Sequence, residues 1–173
     1  MVTAEISPDL LDKVSARFPA LKREKQLDWH IFIVDRDDLL ALGVFLKSEA
    51  DLDFAFLTNL TGVDYLDYME VVYHLYSYAR QHKLCLKVRV TRDDPVIDSV
   101  TGIWTTADWH EREAYDLFGI VFKGHANLKR IFCTDDFPGH PFRRDWELHN
   151  DEEYLLRDVK TSEEYGMPDE LPS

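Results

Sequence analysis

Among the side chains able to do chemistry, Glu111 holds the least expected position. A helical pattern from Ala107 to Phe118 puts Ala107, Ala114, Tyr115 and Phe118 on one apolar face. Glu111 falls inside that face, whereas Glu113 and Asp116 fall on the polar side with Trp109. A carboxylate turned toward a core is costly unless it is paired or protonated. The expected resolution is an ion pair with Arg112, Arg130 or Arg143. A general acid of raised pKa and a stripe that docks on another chain are the two other readings. On the first, Glu111→Gln weakens folding or docking and removes no chemical step.

The remaining candidates assemble into nothing catalytic. His110-Glu111-x-Glu113 lacks the second histidine of a zinc-protease helix, because position 114 is Ala. His110, His125 and His140 recur at intervals too long for a ligand doublet, so a metal site would need a folded-back arm to build it. Cys85 and Cys133 stand far apart with no neighbouring cysteine. They fit neither a zinc site nor a disulfide framework, and suit a reducing compartment. An iron–sulfur cluster needs about four ligands, usually thiolates, which two cysteines cannot supply. Glycine-rich phosphate loops and a Gly-x-Ser-x-Gly elbow are absent from the sequence. The residues therefore point to packing and docking rather than to a reaction.

Charge sharpens that view. The 173 residues carry a net charge of −13, which argues against a nucleic-acid-binding surface. The stretch from Asp145 to Ser173 has ten acidic residues against Arg157 and Lys160, while 123–144 reverses sign to +3 through Lys123, Lys129, Arg130, Arg143 and Arg144. These two stretches either fold onto each other or meet complementary surfaces on a partner. The apolar runs, such as Ile31 to Val34, are too short to span a bilayer, and the first residues lack the pattern of a secretory signal.

The elements that must hold these residues read as follows. Ser7-Pro8 starts a helix that ends before Pro19. Trp29 to Val34 is a strand, and Asp35 to Asp38 supplies caps for a helix carrying Leu39, Leu42 and Leu46. Phe54 to Leu60 suits strand or helix and is closed by Gly62-Val63-Asp64. Tyr68 to Ser77 and His82 to Thr91 alternate cleanly and form an antiparallel hairpin. Ser99 to Phe118 reads as helix, with a break near Thr105-Thr106 and Gly119 as its C-terminal cap. Beyond Gly119, prolines, glycines and aromatics mix without periodicity. The expectation is an α+β fold: a small mixed or antiparallel sheet with helices packed on it over 1–119. An extended, motif-bearing segment and acidic C-terminal arm follows over 120–173 and needs a surface to lie on.

Three motifs in order carry a family resemblance. Glu111-Arg-Glu-Ala-Tyr-Asp-Leu-Phe-Gly-Ile120 runs on through Gly124-His125 to Leu128-x-Arg130-Ile131. Upstream stands Leu60-Thr-Gly-Val-Asp64-Tyr65, and downstream Gly139-His-Pro141-Phe-Arg143-Arg144-Asp145. Together they resemble the signature of the thirty-kilodalton C subunit of bacterial NADH–quinone oxidoreductase (respiratory complex I). Ala126 stands where the family usually has proline, and Phe142-Arg143-Arg144 where it has Leu-Arg-Lys.

The resemblance implies a component of a proton-translocating NADH–quinone oxidoreductase, with no catalytic residue and no cofactor of its own. FMN, iron–sulfur clusters and quinone would belong to partner subunits. The implied place is peripheral, on the cytoplasmic face of the inner membrane. There it would pack against the quinone-site D subunit and the iron–sulfur B and I subunits, touching the membrane through the complex alone. Docking and motif roles are expected for Glu111, Arg112, Glu113, Asp116, Gly119, His125, Arg130, Pro141, Arg143, Arg144 and Asp145. The alternative is the equivalent component of a membrane-bound nickel–iron hydrogenase or another quinone-linked dehydrogenase. A free-standing enzyme using Glu111 with His110 or His125 is the third reading.

Overall fold

In the computed structural model, residues 5–147 are described. The expected arm beyond Glu147 lies outside them. Helix α1 (Pro8–Arg17) leads into strands β1 (Lys22–Gln26) and β2 (Trp29–Val34), and a 3-10 turn over 36–38 opens α2 (Leu39–Ser48). Strands β3 (Phe56–Asp64), β4 (Tyr68–Ser77), β5 (His82–Thr91) and β6 (Val96–Asp98) follow, then α3 (Ala107–Phe118) and β7 (Val121–Lys123). Five strands form one mixed sheet in the order β1-β2-β5-β4-β3, in which β2 and β5 are parallel and the other neighbours antiparallel. Strands β6 and β7 make a separate parallel pair.

Alternation decides which face is buried. Phe32, Leu60, Val71, Tyr73, Leu86 and Val88 point to one face and join Val14 of α1, Leu39, Leu42 and Leu46 of α2, and Ala107, Ala114 and Leu117 of α3 in a single core. Trp104 closes it, its Nε1 donating to Phe54 O at 2.9 Å. The opposite face carries only a small cluster of Ile31, Val72 and Cys85, flanked by Trp29 and Val63. No helical residue joins that cluster among the described residues.

The α+β expectation, helices α1 and α2, and the β4–β5 hairpin stand as read. Three details differ. Gly62-Val63-Asp64 is the end of β3 and not its closing turn, because Gly62 leaves room for Phe118 and Ile120: a Cβ there would lie 2.9 Å from each. Residues 99–106 are turns, with α3 starting only at Ala107. Strand β1, fully exposed and almost wholly charged, pairs as an edge that no hydrophobic pattern signals. Beyond Gly119, Ile120 and Phe122 belong to the same core as α3, so the folded body continues at least through β7.

Candidate functional site

Helix α3 is the spine of the three motifs. Its C-terminus is set by Gly119, whose φ of +77° is the left-handed conformation of a helix cap, and whose N–H donates to Tyr115 O at 2.9 Å. A Cβ at Gly119 would lie 2.5 Å from the His140 ring, so the glycine also admits the close approach of the downstream segment.

That segment is held by carboxylates acting as backbone acceptors. Asp116, fully buried, takes N–H donors from Ile131, Phe132 and Cys133 at 2.8, 2.6 and 3.0 Å on one oxygen. Arg130 faces its other oxygen at 3.4 Å and also donates to Gly139 O at 3.0 Å. Burial raises the Asp116 pKa, but the three N–H groups overcome it and hold the carboxyl below its usual range. Asp116 was expected on the polar side of the helix and is nevertheless fully buried. The residue does fall there by angle, and the segment 128–133 folds back over it.

Asp64, from the upstream motif, does the same at the sheet edge. It accepts from the Arg144 N–H at 3.0 Å, from the Leu66 N–H at 2.8 Å, and from Arg92 through Nε and Nη2 at 3.0 Å each. Burial again opposes ionisation; the Arg92 guanidinium and the two N–H groups win, and the pKa falls to about 2. Arg92 in turn binds Asp145. Three motifs distant in sequence thus meet through two buried carboxylates.

The intervening residues complete the seam. His125 donates from Nε2 toward Asp108 O at 3.1 Å, with Asp108 Oδ1 at 3.2 Å, and accepts the Asn127 N–H on Nδ1 at 3.0 Å. Arg112 donates to Lys129 O at 3.1 Å and lies over the Trp109 ring. His140 Nδ1 donates to Asp116 O at 2.8 Å, the Phe142 N–H to Leu117 O at 2.9 Å, and Arg143 Nε to Phe118 O at 2.8 Å. These last three satisfy carbonyls that the end of α3 leaves open. Burial presses the His140 pKa down, and the charges of Arg130 and Arg143 beside it act in the same direction. Pro141 and Glu113 are half-buried at the margin.

Glu111 departs from expectation. It is fully buried as foreseen, yet Arg112, Arg130 and Arg143 are all engaged elsewhere and no ion pair forms among the described residues. One oxygen accepts the Val100 N–H at 2.7 Å, while Oε2 and the buried Tyr73 hydroxyl have no hydrogen-bond partner among the described residues. Burial raises the carboxyl to about 7, only partly offset by the Ser99 hydroxyl and the Val100 N–H. Burial likewise pushes the Cys85 thiol up to about 11, far from a nucleophile. No three His, Cys, Asp or Glu side chains converge as metal ligands among the described residues.

What the seam presents outward is a mix of aromatic rings and charges of both signs, with Asp135, Asp136 and Asp145 among the exposed residues. Phe132, Phe142 and Trp109 are 67%, 58% and 63% exposed, and Lys129 and Arg144 are exposed beside them. The expected docking residues were the charged motif residues, and Phe132 and Phe142 belong to the aromatic segment that was expected to need a surface to lie on, while Trp109 stands on α3. Most of the named charged residues face inward and organise the backbone that carries Phe132 and Phe142.

Residues 32–152 match the model of the family described as respiratory-chain NADH dehydrogenase, 30 Kd subunit. The chain is 50% identical over 119 residues to the C subunit of NADH-quinone oxidoreductase from Geotalea uraniireducens (strain Rf4), covering 67% of this chain and 71% of that one. It is 40% identical over 145 residues to the corresponding protein of Moorella thermoacetica, covering 83% and 97%. Among solved structures it resembles a trypsin-resistant fragment (1-134) of Nqo5, with a TM-score of 0.61, 31% identity, and coverage of 69% and 97%. It also shares its fold with a chain of an archaeal membrane-bound sulfane sulfur reductase, at a TM-score of 0.72, 21% identity, and coverage of 88% and 92%. The chain belongs to the family of the respiratory-chain NADH dehydrogenase 30 Kd subunit.

Proposed function

We propose that the chain is the thirty-kilodalton component of a proton-translocating NADH–quinone oxidoreductase and works by holding neighbouring subunits in place. Electrons would pass from NADH through FMN and iron–sulfur centres to quinone entirely within its partners. No catalytic residue and no cofactor is assigned to this chain. The observation that carries the reading is the family's three motifs converging on one seam, where Asp116 and Asp64 fix a segment whose exposed side chains include Phe132, Phe142, Lys129 and Arg144 together with Asp135, Asp136 and Asp145. Buried acids and arginines that serve as backbone anchors build a docking platform, and nothing in them is aimed at a substrate.

Family membership supports other subunits of the respiratory complex as partners, and we assign the docking to the quinone-site D subunit and the iron–sulfur B and I subunits. The location follows as peripheral, on the cytoplasmic face of the membrane. No helix among the described residues is long and apolar enough to cross a membrane, consistent with attachment through the complex. The curated relatives favour this role over the hydrogenase alternative. The test is incorporation: Phe132→Ala with Phe142→Ala should leave the isolated chain's melting temperature nearly unchanged and lower recovery of the NADH-oxidising complex. Normal recovery and full quinone reduction by that double variant would contradict the assigned surface.

A further inference from the structure

The sheet has a second face that the seam does not use. Strand register puts Ile31, Cys85 and His74 in one row and Val72 beside Lys87 in the next, all pointing away from the helices. They floor a groove of about 350 Å³ walled by Trp29, Val63 and Tyr65. Trp29 meets the His74 ring edge-on at 4.9 Å, which stiffens one wall.

The charge on this face runs against that of the chain. In a protein of net charge −13, the outward positions of the central strand β5 are Lys83, Cys85, Lys87 and Arg89. Each cation is held in place. Lys83 lies 4.5 Å from the centre of the Trp29 ring and Arg89 4.7 Å from that of Tyr68, while the buried Glu70 faces Lys87 at 3.1 Å and Arg89 at 3.5 Å. Glu70 thus serves two cations at once, and Lys83 shares the exposed Asp28. An apolar floor bordered by ordered cations complements an apolar side chain flanked by carboxylates.

We infer that this open face is a second docking surface and takes an acidic segment of another subunit. The inference rests on the chain's being part of an assembly and goes beyond the seam. The chain's own acidic stretch after Glu147 is the competing occupant, which the cross-link distinguishes, and the last described residues lie away from the groove. Asp64 points to the helix side of the sheet and there binds the Arg144 N–H, whereas its neighbour Val63 lines the groove on the other side. Trp146 then turns back to stack on Phe137 at 5.5 Å, with Gly139 open to it, so the chain leaves the described region on the helix side.

The test uses the full chain in its native complex, with p-benzoylphenylalanine placed at Tyr65 for photo-cross-linking and mass spectrometric identification of the joined peptide. Linkage to a carboxylate-rich peptide of a different subunit is expected. A second variant, Lys83→Gln with Arg89→Gln, is expected to lower that cross-link and the salt resistance of the complex by roughly three- to tenfold, with an unchanged melting temperature for the isolated chain. A cross-link to residues 148–173, to a second copy, or to no protein in an intact and active complex overturns the inference while leaving the seam standing. A chain recovered without any partner overturns both.

Discussion

Glu111 and Asp64 are both buried carboxylates, and their environments push them in opposite directions. The folded pKa of Glu111, about 7, lies above its ordinary 4.5, so between those values the folded chain keeps a proton that the unfolded chain has lost. Stability is therefore full below the ordinary value and declines as pH rises to about 7, by about 3 kcal/mol. Glu111→Gln should remove that slope and melt at least as high as the parent at pH 8; a lower melting temperature there would mean that an unseen cation pairs with the carboxylate. Asp64 works the other way. With its pKa lowered from 3.8 to about 2, it stabilises the fold above its ordinary value and loses this, about 2 kcal/mol, as pH falls toward 2. Asp64→Asn should flatten the acid limb of stability measured against pH. The helical period made the burial of Glu111 legible. Its lack of an ion pair among the described residues was not, because the three candidate arginines are drawn to carbonyls and to Asp116, and no period encodes that competition.

At the scale of elements, the account turns on how an aperiodic segment is fastened to a helix. Asp116 anchors three successive N–H groups, so Asp116→Ala should cost about 3–5 kcal/mol as a buried, charge-paired acceptor is lost. The damage should be local first: trypsin should cut sooner at Lys129 and Arg130 than in the parent, and equal cutting rates would refute the anchor. Gly119→Ala should destabilise by about 1–2 kcal/mol from its left-handed conformation alone. Displacement of His140 adds to this, visible as a shift of the His140 ring resonances. Residue types revealed α1, α2, the β4–β5 hairpin and the Gly119 cap because each follows a period or a capping rule. Strand β1 escaped because its five residues are all solvent-facing and acquire strand geometry only from β2. The 99–106 turns escaped because Val100, Ile103 and Trp104 are apolar enough to imitate a helix while serving as a plug over the core.

For the whole molecule, one sheet presents two unlike faces. Helices seal one, and the motif segment closes over its edge; the other stays open, with cations set over aromatic rings. Phe142 packs against Phe118 of α3, on the helix side of the sheet, whereas the groove lies on the other face. The convergence of the three motifs was legible only as a family likeness. Spacing alone does not say that residues 64, 116 and 144 meet, since that contact depends on the chain crossing back over both α3 and the end of β3. The central claim is that this chain holds an NADH–quinone oxidoreductase together without reacting itself. Its most direct test is gentle detergent purification of the tagged full chain from its native membrane, with identification of the co-purifying proteins and NADH–quinone assay on the same fraction. The account predicts a large complex containing flavin and iron–sulfur subunits and oxidising NADH with quinone. A chain that emerges alone, or with a nickel–iron hydrogenase component in place of the NADH-oxidising one, would contradict it.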